Sequence, residues 1–144
     1  MTTTAVQSTP RTAGTGHPPC TQTFPSEPET AGRARRLVAT ALETWGLSEL
    51  ADNGRVIVSE LVANSVEHTA CRYLRVSVTR LAPDRVRIAV LDGNCQEPVP
   101  RVASETDEEG RGLLLVAALS DTTGTDLFPR GKRVWSELAT GDAE

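Results

Sequence analysis

The stretch Ser59 to His68 reads SELVANSVEH, and three of its polar residues, Glu60, Asn64 and His68, recur at every fourth position. On an α-helix of about 100° per residue they fall within an arc of roughly 80°, with Glu67 beside them. A carboxylate one turn from a carboxamide can hold a hydrated Mg²⁺ and polarise an attacking group, because hard cations take oxygen ligands. The same spacing fits the solvated side of an amphipathic helix. The residue types favour chemistry: a solvated face is ordinarily built from Lys, Arg and Glu, whereas Asn disfavours helix.

Two further places carry suitable groups. In VRIAVLDGN, alternating apolar residues deliver Asp92 to the end of a strand, followed by Gly93. Asp-Gly is a common turn, but a carboxylate at the mouth of a sheet can also accept a hydrogen bond from a ligand's amino group, a charge-assisted bond worth about 1.5–3 kcal/mol. In EEGRGLLLV, Gly110 and Gly112 flank Arg111 just before an expected helix. Main-chain N–H groups at a helix start attract anions, and glycine admits a phosphate close to the backbone. A plain hinge explains the glycines equally well. No Lys-Ser or Lys-Thr pair follows, so the segment is not a P-loop.

Positioning these groups needs a framework, and the hydropathy pattern supplies one. ETAGRARRLVATALETWGL places Leu37, Val38, Ala41, Leu42 and Trp45 at helical spacing, with Gly46 to end the helix. A second helix is predicted from about Leu50 to Glu67, with Val56, Val58, Leu61, Val62 and Val66 as its apolar side. The period then changes to two. Leu74, Val76 and Val78 alternate with polar residues, Ala82-Pro83-Asp84 turns the chain, and Val86, Ile88 and Val90 alternate on the way back. GNCQEPVPRVASETDEEGRG has no periodicity and reads as a functional loop. GLLLVAALSD reads as a short buried helix, and TTGTDLFPRGKRVWSELA as a second hairpin turning at Pro129 to Lys132. CTQTFPSEP adds a short edge strand that Pro28 stops. The expected architecture is an α+β two-layer sandwich, with helices on one face of a mostly antiparallel sheet.

Composition sets the outer limits. A chain of 144 residues suits one domain, expected over residues 20–144. Residues 1–19, rich in Thr, Pro, Gly and Ser, read as a disordered tail. A net charge of −4 argues against a nucleic-acid surface. No apolar run approaches the roughly 20 residues of a membrane span, and the N-terminus lacks the apolar core of a signal peptide. Cys20, Cys71 and Cys95 show no metal-ligand spacing and read as free thiols of a cytoplasmic protein.

The order of these segments resembles the GHKL, or Bergerat-fold, ATPases: E-x-x-x-N-x-x-x-H on a helix, a hairpin ending in Asp-Gly, a long loop, then G-x-G at a helix. The short length and closing GKRVW hairpin are similar to the bacterial anti-sigma-factor serine/threonine kinases, especially small ATP-binding regulators of actinobacteria. That resemblance covers about Cys20 to Thr140. It implies ATP and Mg²⁺ as cofactors, Glu60 as general base toward a substrate serine, and Asn64 as the Mg²⁺ ligand. It places His68 near the nucleotide and Asp92, with Gly93, at the adenine amino group. Residues 102–109 become the nucleotide lid, and Gly110, Arg111, Gly112 and Leu113 the phosphate-side contacts. The chain departs from the family pattern at Asn94 and Gln96, where glycines are frequent, and at Arg133, where a threonine near the adenine is frequent. Ser65 replaces a frequent alanine, a change expected to matter little.

The resemblance implies a kinase in a partner-switching circuit. Its partners would be a sigma factor or similar target and an anti-sigma-factor antagonist protein phosphorylated on serine, with a homodimer plausible. A sensor histidine kinase is disfavoured, because His17 and His68 are the only histidines. The competing readings are a nucleotide-binding module that sequesters a partner without phosphotransfer, and a plain structural α+β domain.

Overall fold

A computed structural model describes residues 18–68, 71–93 and 107–140, the last range by backbone alone over 107–111. Three helices cover one face of a five-stranded antiparallel sheet. In chain order the elements are β1 (Cys20–Pro25), α1 (Thr30–Thr44), a short 3₁₀ turn (Ser48–Leu50) and α2 (Ala51–His68). They continue with β2 (Tyr73–Ala82), β3 (Arg85–Gly93), α3 (Asp107–Leu119), β4 (Thr122–Phe128) and β5 (Gly131–Ala139). The strand order across the sheet is β1-β2-β3-β5-β4. This is the two-layer α+β sandwich expected from the period changes. The tail lies, but for its last two residues, outside the described residues, as do Asn94, Cys95, Gln96 and the lid segment to residue 106.

Strand alternation makes the core. Leu74, Val76 and Val78 of β2 and Val86, Ile88 and Val90 of β3 are all buried on the helix side, paired in antiparallel register with Val76 opposite Val90. From above, α1 lowers Ala34, Val38, Ala41 and Leu42 onto them, and α2 lowers Ile57, Val58, Leu61 and Val62. Burying each such large aliphatic side chain contributes about 1.5–3 kcal/mol. Helix α1 stops at Gly46, whose φ of 75° lies in the left-handed region that glycine enters without a Cβ clash. There the Gly46 and Leu47 N–H groups donate back to Glu43 and Leu42 carbonyls.

Three expectations need correction. Val56 is 39% exposed, and Ile57 takes the buried place instead, because the inward stripe of α2 runs through Gly54, Ile57, Val58, Leu61 and Ser65. Helix α3 is not buried all round: Val116 is in the core, while Leu114 and Leu115 are exposed. A helix cannot turn a continuous apolar run to one side. The cysteines are not all free thiols either. Cys20 is free, but Cys71 is disulfide-bonded, and its sulfur lies 2.6 Å from the Gly93 carbonyl oxygen. The thiol argument for a reducing compartment therefore does not hold. Among the described residues no helix is long and apolar enough to cross a membrane.

The two long helices pack closely because α2 carries Gly54 at their contact. A Cβ there would stand 3.0 Å from Val38 Cγ1 and 3.2 Å from Leu42 Cδ1. Gly54→Val is expected to destabilise the fold by about 1–3 kcal/mol through overpacking, despite valine's better helix propensity. Thermal unfolding of the ligand-free protein measures this as a lower melting temperature.

Candidate functional site

The site forms where the C-terminal half of α2 crosses the end of β3. Asp92 has the same parity along β3 as Val86, Ile88 and Val90, so its side chain points to the helices and is only 6% exposed. It meets Ser65, which continues the buried stripe of α2 one turn beyond Leu61 and is itself 2% exposed. The Ser65 hydroxyl donates to Asp92 Oδ2 at 2.8 Å. No other described residue hydrogen-bonds the carboxylate. Burial pushes the Asp92 carboxyl above the usual range for an aspartate, because desolvation penalises the charged form. The Ser65 hydrogen bond and the positive charges of Lys132 and His68 pull it down without cancelling that rise.

Glu60, Asn64 and His68 lie on the flank of α2 beside this stripe, and each is half-buried. Of the three, His68 is near enough for its charge to act on the Asp92 carboxyl. His68, the last residue of the helix, holds Nε2 3.6 Å from Glu67 Oε1. Glu60 is met by α3: a Cβ on Gly112 would come within 2.8 Å of Glu60 Oε1. Helix α3 therefore passes close to the carboxylate end of the Glu60 side chain. Segments distant in the chain thus converge, with α2 contacting β3 through Ser65 and Asp92, and α3 through Glu60 and Gly112.

The phosphate-side expectation changes in form. Helix α3 begins at Asp107, so Gly110, Arg111 and Gly112 lie inside its first turns and not in a loop before it. The physical reason is the run Asp107-Glu108-Glu109, residue types favoured in a first turn by the helix dipole; it starts the helix upstream of the glycines. Leu113 is partly buried and packs against the core, which anchors α3 at this point. Gly93 ends β3 beside Asp92 and pairs with Gly131 of β5.

Arg133 lies on the face away from Asp92. It pairs with Leu91, so it projects from the opposite face to Asp92, where it forms an ion pair with Asp126 at 2.7 Å and stacks over Phe128. The residue on the Asp92 side of β5 is Lys132, directly opposite Asp92 in register. Ser65 and Lys132 are the two site residues the sequence reading passed over. Both carried a signal: Ser65 is a polar residue on an otherwise apolar stripe, and Lys132 has the same strand parity as the buried Ser136 and Leu138.

An open depression of about 360 Å³ lies at the same end of the sheet, lined by Tyr73, Arg75, Leu91 and Phe128 and bordered by Asp92 and Gly93. Strand parity puts the first four side chains on the helix-free face. Among the described residues no cluster of three or more His, Cys, Asp or Glu is placed to hold a metal. A metal here would depend on Asn64 together with ligand oxygens and water, the usual manner of Mg²⁺ at phosphate sites.

A family model described as the histidine kinase-like ATPase domain matches residues 24–136. The match runs from β1 into β5 and includes every residue of the site. No curated protein matches the chain.

Proposed function

The chain belongs to the histidine kinase-like ATPase domain family of the GHKL superfamily, whose domains bind ATP, and on that premise we propose that it is an ATP- and Mg²⁺-dependent serine/threonine protein kinase of the anti-sigma type. One observation carries the reading: a buried carboxylate, Asp92, has one oxygen held by Ser65 under the helix that presents Glu60 and Asn64. That donor set suits an adenine nucleotide. A buried acceptor suits an amino group, an amide oxygen suits a cation, and a carboxylate on the same helix suits the uptake of a hydroxyl proton.

In this assignment Asp92 accepts from the adenine 6-amino group, which favours adenine over guanine. Asn64 supplies an oxygen to the metal, and bound Mg²⁺ would contribute charge neutralisation of the phosphates. Glu60 orients the serine hydroxyl of a protein substrate and takes its proton, while the new bond forms between that oxygen and the γ-phosphorus and the bond to the β-phosphate oxygen breaks. Positioning and electrostatics suffice, without a covalent enzyme intermediate. The substrate would be an anti-sigma-factor antagonist, and the sequestered target a sigma factor or similar regulator, with the kinase acting alone or as a homodimer.

The second reading, a sequestering module that binds nucleotide without transferring phosphate, draws support from α3, which packs on Glu60 at Gly112. Two measurements decide. Mg-ATP at about 100 times its dissociation constant should stabilise the protein by about 2.7 kcal/mol, read as a rise in melting temperature. Labelled γ-phosphate should then pass to a serine of the cognate antagonist. A thermal shift without transfer under any pairing leaves the module, and the lack of a shift removes both readings.

A further inference from the structure

The contact between Ser65 and Asp92 leads one step beyond the proposed function, on which it rests. We propose that Ser65 is a positioning residue for base selection: its hydroxyl donates to Oδ2 of Asp92 and so presents the other carboxylate oxygen, as an acceptor, to the amino group of adenine. The geometry is specific. Ser65 and Asp92 are both buried, the bond is 2.8 Å long, and a hydroxyl has a single proton to give. An alanine at position 65 would leave the carboxylate free to rotate and without the hydroxyl that holds it. The carboxylate would then be harder to keep charged, since Ser65 is the foremost influence opposing burial.

Charge state matters because it sets the selectivity. An ionised Asp92 accepts only, which suits the 6-amino group of adenine and rejects the 6-oxo group of guanine. A protonated Asp92 has a hydrogen to donate and tolerates guanine. Among the described residues the charged groups facing Asp92 are His68 from α2 and Lys132 from β5; from β2 its register partner is the apolar Leu74.

The test is the affinity ratio of ADP to GDP, measured with fluorescent analogues of both across roughly pH 5 to 8. The wild type should prefer ADP most strongly at the alkaline end and lose that preference on acidification. Ser65→Ala should lower the preference at neutral pH by about fivefold and begin the loss at higher pH, with a single cooperative ligand-free melting transition as the control for folding. The same displacement should persist in a His68→Gln background, which removes the imidazole from the titration. An unchanged ratio and pH profile in Ser65→Ala would overturn the inference. Asp92→Asn separates the two levels: if it binds ADP like the wild type, the nucleotide reading fails. If it loses ADP while Ser65→Ala behaves as wild type, the role of Ser65 alone fails.

Discussion

Asp92→Asn is expected to weaken adenine-nucleotide binding by about 10- to 100-fold, the equivalent of one charge-assisted hydrogen bond, while the ligand-free protein melts no lower than the wild type. The two halves of this result come from one geometry. Ser65 would still donate, now to the amide oxygen of asparagine, which turns the amide nitrogen toward the ligand. A donor then faces the donor of the adenine amino group, and affinity falls by more than the loss of charge alone. Stability moves the other way. Burial raises the Asp92 carboxyl above its unfolded value, so the native state binds a proton more tightly than the unfolded chain does. The contribution of this group to stability is therefore fully present at pH below the unfolded value and is lost as pH rises through the folded one. At neutral pH the buried charge is a net cost, which asparagine removes. Calorimetric titration with ADP and thermal melts without nucleotide measure the two effects. A variant that binds normally, or one that loses binding only because it unfolds, would contradict the assignment.

This opposition explains why some of the site was legible in the sequence and some was not. Apolar periodicity reports what the core requires, and it placed both hairpins, both long helices and Asp92 at a strand end. It also carried Glu60, Asn64 and His68 onto one flank, because four-residue spacing on a helix fixes direction regardless of what packs nearby. Contacts between elements were harder to see. Ser65 looked like a minor variant of alanine, and only the arrival of β3 beneath α2 gives its hydroxyl a carboxylate to meet. Arg133 was assigned to the adenine side from a resemblance, whereas counting parity back from Val134 along β5 sends it to the other face. The glycines of α3 read as a helix entrance because glycine is a poor helix former. At Gly112 the helix instead passes close to Glu60. Val56 and Ile57 exchanged roles for a similar reason: the α2 stripe is set by where Gly54 touches α1, and a helical wheel does not contain α1.

Glu60→Gln is expected to abolish phosphotransfer, with a loss of about 10²- to 10⁴-fold, the usual contribution of a positioned general base, while nucleotide affinity stays within a few-fold of the wild type. Glutamine keeps the size and one acceptor of glutamate but cannot take up the serine proton, so binding and transfer should separate. The surroundings make this a clean substitution. Glu60 is half-buried and forms no ion pair or hydrogen bond with any described residue, so none of those residues loses a partner by the change. It lies close to Gly112, against which a neutral amide packs as well as a carboxylate does. Single-turnover transfer of labelled phosphate to the antagonist, set beside ADP affinity and melting temperature, distinguishes the possible roles. If Glu60 served only to seat α3 on α2, Glu60→Ala would lower melting temperature and affinity together, and Glu60→Gln would leave transfer intact. Loss of transfer in both variants with affinity preserved identifies the carboxylate itself as the proton acceptor, and it requires that a substrate hydroxyl reach Glu60 past the helix that now lies over it.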